Sequence, residues 1–196
     1  MKKKNIAIFA SGSGTNAESI VRYFNNSQLA HVSLILSNNS NAYVLKRAEM
    51  LNVKTCLFDR EQFYNSEKVL RILLDNDIDL IVLAGFLWLI PSELIKAYPD
   101  RIINIHPALL PKYGGKGMYG INVHKAVIES GDKESGITVH YVNEKYDEGN
   151  IIFQARCPVS AGDTPESLAE KVHELEYEHY PKVIEEVVRG QGTSDG

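Results

Sequence analysis

The sequence predicts an α/β fold: a Rossmann-like three-layer sandwich whose central sheet is mostly parallel, with an antiparallel strand in the second half. Short runs rich in Ile, Val and Leu alternate with longer stretches of helical spacing through the first half of the chain. Strands joined by crossovers of that kind pair in parallel and need cover on both faces, which helices supply. A glycine turn also follows the first apolar run directly and opens the first helix, as in sheets that bind ligands beyond their strand ends.

Asn5–Ala10, His31–Ser37, Val53–Phe58 and Asp79–Ala84 read as buried strands. Thr15–Asn26, Asn41–Leu51 and Arg60–Asp75 read as the helices between them, with Val69, Ile72 and Leu73 marking one apolar face. Arg101–Ile105 is a further strand, followed by His106-Pro107 and a loop containing Gly114, Gly115, Gly117 and Gly120. After a helix at Val123–Ser130 come strands Gly136–Val142 and Asn150–Pro158, joined by Asn143–Gly149 and close enough to pair antiparallel. Thr164 caps the last helix and Pro165 takes its first position, with Leu168, Val172 and Leu175 on one face. Pro181 is expected to kink or split that helix near Tyr180, leaving Val183, Ile184 and Val187 on a second piece. Residues 1–190 then form one domain, and 191–196 a polar, frayed tail.

A chain of 196 residues suits a single domain, and 44% hydrophobic with 23% charged residues is ordinary globular usage. The balance of 21 Lys+Arg against 25 Asp+Glu leaves a net charge of −4, without the basic excess that nucleic-acid binding calls for. The longest apolar stretch, Leu80 to Pro91, is too short to cross a bilayer, and Ile6–Ala10 is too short for the core of a signal peptide. Cys56 and Cys157 make no disulfide framework and no CxxC zinc motif; both read as small buried residues. The expectation is a soluble, cytoplasmic protein with neither a membrane nor a nucleic acid as partner.

Ser11-Gly12-Ser13-Gly14-Thr15-Asn16-Ala17 forms the glycine turn. Its glycines permit a sharp bend, and the helix it opens offers free N–H groups and a positive dipole end, a natural seat for phosphate. Gly12-x-Gly14-x-x-Ala17 also satisfies a loose dinucleotide fingerprint. A dinucleotide site expects a carboxylate after the second strand, where this chain has Ser37-Asn38-Asn39-Ser40. No Gly-Lys-Ser/Thr follows, so the turn is not a Walker loop. A small phosphate ester, a dinucleotide and a purely structural turn all remain open on this segment alone.

Ile102-Ile103-Asn104-Ile105-His106-Pro107-Ala108-Leu109-Leu110-Pro111 is the most specific segment. Strand alternation places Asn104 and His106 on one face, near the strand end where ligands collect. Asp147 in the 143–149 connection is a candidate partner that would raise the His106 pKa and fix its orientation, or else a turn residue before Gly149. Together they would offer a cationic and a neutral donor to a developing oxyanion, equipment suited to acyl transfer without a covalent enzyme intermediate. A metal site of His106, His140 and Asp147 finds no support in local spacing such as HxxxH or HExxH. His31, His124, His173 and His179 read as structural or exposed.

Ser11–Asn16, Ala84-Gly85-Phe86, Asn104–Pro111 and Asp147, in this order and spacing, make a chain that resembles the phosphoribosylglycinamide formyltransferases, the folate-dependent transformylases of purine synthesis. The likeness runs from Ile6 to about Val188. It implies transfer of a formyl group from 10-formyltetrahydrofolate to the amine of glycinamide ribonucleotide, without a metal, by a monomer or weak homodimer. Asn104, His106 and Asp147 match the family's catalytic trio, with His106 as proton donor and oxyanion stabiliser. Gly14, Thr15 and Asn16 match its phosphate-loop positions, and Glu176 a carboxylate that holds the ribose hydroxyls. Leu87, Trp88, Leu89 and Ile90 match the segment lining the folate pocket, together with Asn104; Arg60 resembles a basic residue used for folate contact. Trp88 stands where well-known members carry Arg, and Lys112–Gly120 is longer and richer in glycine than the common form, which suggests a loop that orders when folate binds.

The mechanism so implied is direct attack by the uncharged amine on the formyl carbon, with the proton passing through His106 or through a water held by Asp147. Rivals sharing the chemistry are sugar N-formyltransferases, formyltetrahydrofolate hydrolases and methionyl-tRNA formyltransferases. The last carry a further C-terminal tRNA-binding domain and a basic surface, for which an acidic chain of this length is not suited. A nucleotide-sensing module would bind without turnover, and the missing ribose carboxylate after the second strand counts against it.

Overall fold

The structure, a computed structural model, describes residues 2–191. Its elements run β1 (Lys4–Phe9), α1 (Thr15–Phe24), β2 (Ala30–Ser37), α2 (Val44–Met50), β3 (Lys54–Leu57), α3 (Arg60–Tyr64), α4 (Lys68–Asp75), β4 (Leu80–Leu83), α5 (Ser92–Ala97), β5 (Ile102–His106), α6 (Ile121–Ser130), β6 (Glu134–Tyr141), β7 (Ile151–Pro158) and α7 (Pro165–Gln191). One sheet takes the strands in the order β3-β2-β1-β4-β5-β6-β7. β1 to β5 pair in parallel, and β6 runs antiparallel to both its neighbours, so a single reversed strand interrupts the parallel set.

Alternation along each strand divides the core into two layers. In β1, Ile6 and Ile8 pack against Ala17, Ile20, Phe24 and the apolar face of α7, whereas Ala7 and Phe9 pack on the opposite side with Phe63, Val69, Leu73 and Leu94. The second layer ends in a cluster of Phe9, Phe58, Phe63, Phe86 and Trp88 with ring centroids 5.0–6.3 Å apart. The order of strands reverses at β1, with β2 and β3 added on one side and β4 onwards on the other, and this switch point is where open α/β sheets leave a crevice. Across it the Ser11 N–H donates to the Gly85 carbonyl at 3.1 Å, and the Leu87 N–H to Ser11 Oγ at 3.1 Å.

Four local expectations change. The stretch Arg60–Asp75 breaks into α3 and α4, because Asp59 and Gln62 form a reciprocal capping box and Ser66 Oγ turns back to the Gln62 carbonyl. The helix expected over Asn41–Leu51 starts only at Val44, and the short α5 after Pro91 was not foreseen. α7 runs unbroken through Pro181. Its two halves share one buried face, with Val172, Tyr180, Val183, Ile184 and Val188 all in the core. The Tyr177 carbonyl, which loses its helical donor to the proline ring, belongs to an exposed residue. The expected cap is in place, since the Ser167 N–H donates to Thr164 Oγ1 at 3.2 Å. Gln191 is the last residue of α7, and the rest of the expected tail lies outside the described residues.

Cys56 and Cys157 are half-buried rather than buried, and burial pushes both thiols up. Among the described residues no helix is long and apolar enough to cross a membrane.

Candidate active site

A cavity of about 820 Å³ lies over the switch point, between the turn after β1, the segment after β4, the end of β5 and the glycine loop. That volume suits one or two small organic ligands. Gly14 forms the floor at one end with φ +75°, and a Cβ there would lie 2.4 Å from Val44 Cγ2 and 2.8 Å from Val44 Cα. Glycine is therefore required twice over, by conformation and by the approach of α2. Gly14→Ala is expected to cost about 1–3 kcal/mol of stability. Gly12→Ala, with nothing within 4 Å, should change little. Chemical denaturation of the two variants checks this.

Asn16, just inside α1, donates from Nδ2 to Glu176 Oε2 at 2.8 Å, and His173 Nδ1 donates to the same oxygen at 2.9 Å. Glu176 is only 4% exposed, so two donors on one oxygen are what allow a carboxylate there. The phosphate-loop and ribose candidates, 160 residues apart in sequence, thus form one polar end of the cavity.

At the other end, β5 presents Asn104 and His106 on one face, and the register with β6 sets His140 opposite Asn104. Asn104 Nδ2 donates to His140 Nε2 at 3.1 Å and lies 3.5 Å from Asp147 Oδ1. His140 Nδ1 lies 2.8 Å from the Tyr141 carbonyl, which fixes the ring with Nε2 towards Asn104 and Asp147. His106 Nε2 donates to the Tyr113 carbonyl at 2.7 Å, which turns Nδ1 towards Asp147 Oδ2 at 3.6 Å. Asp147 takes the left-handed backbone (φ +56°), and its Oδ2 accepts the Gly115 N–H at 2.9 Å.

The electrostatics amend one expectation. Burial pushes His106 below its ordinary value, and this outweighs the upward pull of Asp147 and of the Tyr113 carbonyl. His106 is thus uncharged in the free protein, not raised into the cationic form. Burial would lift Asp147 too, but His140, His106 and the Gly115 N–H together hold it below the usual carboxylate value.

Leu87, Trp88, Leu89 and Ile90 line the apolar wall, held by the Tyr64 hydroxyl on the Leu89 carbonyl at 2.9 Å. Arg60 does not line the cavity. Its guanidinium lies 5.0 Å from the Tyr64 ring centroid and 5.7 Å from that of Trp88, against the aromatic rings next to the wall. Asp147 brings His106 and His140 together, each 3.6 Å from one of its oxygens, yet among the described residues no group of His, Cys, Asp or Glu is arranged to hold a metal ion.

The formyl transferase profile matches residues 4–184. The chain belongs to the formyl transferase family. Among the relatives of this formyl transferase, it is 36% identical over 193 residues to the phosphoribosylglycinamide formyltransferase of Haemophilus influenzae, covering 96% of this chain and 89% of that one. It is 40% identical over 189 residues to the chloroplastic enzyme of the same name from Arabidopsis thaliana, covering 93% of this chain. It spans only 65% of that protein and 61% of its counterpart from Vigna unguiculata. Among solved structures it is similar to glycinamide ribonucleotide transformylase 1 from Geobacillus kaustophilus, with TM-score 0.86 and 37% identity over 95% of this chain and 100% of that one. Phosphoribosylglycinamide formyltransferase from Anaplasma phagocytophilum gives TM-score 0.87 at 33% identity, over 96% of this chain and 89% of that one.

Sequence reasoning missed the roles of four groups at the site of this formyl transferase. His140 orients Asn104, and Tyr113 fixes the His106 tautomer through its backbone carbonyl, which no side-chain pattern can signal. His124 and His173, read as structural or exposed, both line the cavity. For His173 the available clue was its place three residues before Glu176, a spacing that sets both on one helix face; His124 carried no such signal.

Proposed function

We propose that this formyl transferase moves the formyl group of 10-formyltetrahydrofolate to the amine of glycinamide ribonucleotide, the reaction of phosphoribosylglycinamide formyltransferase. The observation that supports it best is one cavity with two chemically different ends. Asn104, His106 and Asp147 stand at one end, and Gly14, Thr15, Asn16 and Glu176 at the other. The first set fits acyl transfer and the second a phosphorylated ribose, while Leu87–Ile90 offer an apolar wall to a flat pterin.

In this reading His106 works because both its nitrogens face acceptors. Nε2–H is engaged by Tyr113, and Nδ1 faces the Asp147 carboxylate. An imidazolium would satisfy both, but burial, with a smaller push from His140, holds His106 below its ordinary value in the free protein. As the amine attacks, His106 accepts its proton at Nδ1, and the resulting cation stabilises the negative charge growing on the formyl oxygen. Asn104 adds a neutral N–H, such donors being worth a few kcal/mol. The carbon–nitrogen bond to the folate breaks as His106 returns the proton to the leaving nitrogen, so one proton moves from amine to folate and the enzyme ends unchanged.

Absorbance-monitored turnover of 10-formyltetrahydrofolate tests this. Product should form only when glycinamide ribonucleotide is present. Formate release without that acceptor would indicate a hydrolase instead, and turnover with an amino sugar alone would indicate a sugar N-formyltransferase.

A further inference from the structure

The polar end of the cavity raises a question of charge. A phosphate monoester seated on the first turn of α1 meets neutral N–H groups and, beside them, the Glu176 carboxylate, which repels it. Among the described residues no arginine lines the cavity. Of its two lysines, Lys145 is paired with Glu148 at 3.0 Å, and Lys116 belongs to the glycine loop. Arg22 and Arg47 are both taken up by Glu18. The remaining basic groups at this end are two histidines.

They are not equivalent. His124, on α6, is 2% exposed, and its Nδ1 is buried with no hydrogen-bond partner among the described residues. Burial drives it down to about 4, so it is neutral at any working pH and can offer a hydrogen bond but no charge. His173 shares the Glu176 oxygen that receives Asn16, which sets its ring beside the first turn of α1. Its side chain is 47% exposed, and Nε2 makes no hydrogen bond among the described residues.

We propose that His173 is the cationic group of the phosphate-binding end, so that the ribonucleotide is held tightly only while this imidazole is protonated. The proposal rests on the functional reading above. The groups facing His173 favour it. On α7, Glu176 is its ion-pair partner and Tyr177 stacks on its ring at 6.1 Å and 10°. From α6 comes the neutral His124 and from α1 the uncharged Asn16. Glu176 holds His173 above its ordinary value of 6.5, and a bound dianion raises it further. The proton is therefore present below that raised value and lost as pH climbs through it. The second ionisation of the phosphate, near pH 6, is complete before this happens.

Steady-state formyl transfer by the full chain, measured from pH 6.5 to 9, gives the test. The wild-type KM for glycinamide ribonucleotide should rise about tenfold across this range, with saturating kcat and the KM for the formyl donor unmoved by the His173 substitutions. H173K should give a low KM that stays low to pH 9, and H173Q a high KM without the rise. The lysine variant meets the same substrate, so it separates the imidazole from ionisation of the substrate amine. A wild-type KM and pH slope in H173Q, or a persisting rise in H173K, would overturn the proposal. Absence of any formyl transfer by the wild type would instead count against the functional reading. In that event calorimetric titration with ribose 5-phosphate, over the same pH range and the same three proteins, decides the role of His173. Weakening with pH in the wild type alone supports it, and identical profiles overturn it.

Discussion

Replacing His106 with alanine is expected to lower kcat by about 10²–10⁴-fold, the usual contribution of a positioned proton-transfer group. KM for both substrates should move much less, because no other binding group depends on its side chain. The loss comes from a side chain placed to accept at one nitrogen while held at the other by Tyr113. Truncation also leaves the Tyr113 carbonyl and the Asp147 carboxylate without their neighbour in a buried site, so a modest loss of stability accompanies it. His106→Gln is the companion variant, since its amide can still donate to Tyr113. A kcat near wild type in either variant, read under saturating substrates, would remove His106 from the mechanism.

The second large effect is expected at Asp147. Asp147→Asn keeps the side-chain shape and tolerates φ +56°, a conformation asparagine accepts readily. It removes the charge that draws a proton to Nδ1 of His106, and kcat should fall about 10²-fold. A second signature has a definite sign. The neutral form of His106 is the active one, so activity declines on the acid side as the imidazole takes a proton, below its ordinary value of 6.5. Without Asp147, burial and His140 act on His106 with less opposition, and that acid limb must shift to still lower pH. A limb that stays in place, or moves up, would sever Asp147 from His106.

The parts of the molecule that were legible in the sequence share a physical cause. β4 is buried throughout and most of β1, β2 and β5 is too, so burial writes itself as runs rich in Ile, Val and Leu. Gly12, Gly14, Asn104 and His106 stood out because their types are unusual for where they stand, whereas Asp147 read equally well as an ordinary turn residue, and only the fold sets it beside His106. The break between α3 and α4 was not, because a capping box at Asp59 competes with continuous helical periodicity only through hydrogen bonds. α5 is six residues long, too short for its period to emerge. At the site, the net charge state of His106 escaped because sequence suggests a partner but not the depth of burial, and here burial outweighs the partner. His173 and Asn16 meet only through Glu176, across a separation that no local pattern spans.

α7 deserves to be seen as a mechanical reference. Tyr180, wholly buried, donates its hydroxyl to the Leu83 carbonyl at 2.9 Å, at the tip of β4 beside the cavity. Glu176 lies one helical turn before it and His173 two, on the same side of the helix. A slip of one residue along α7 would rotate that side by about 100°, carrying both groups away from Asn16. The phenol therefore sets the angular origin from which the substrate-facing groups are measured. Selectivity at the cavity's polar end can be altered by changes to the sheet that never touch a ligand, since whatever moves the Leu83 carbonyl turns Glu176 and His173 with it.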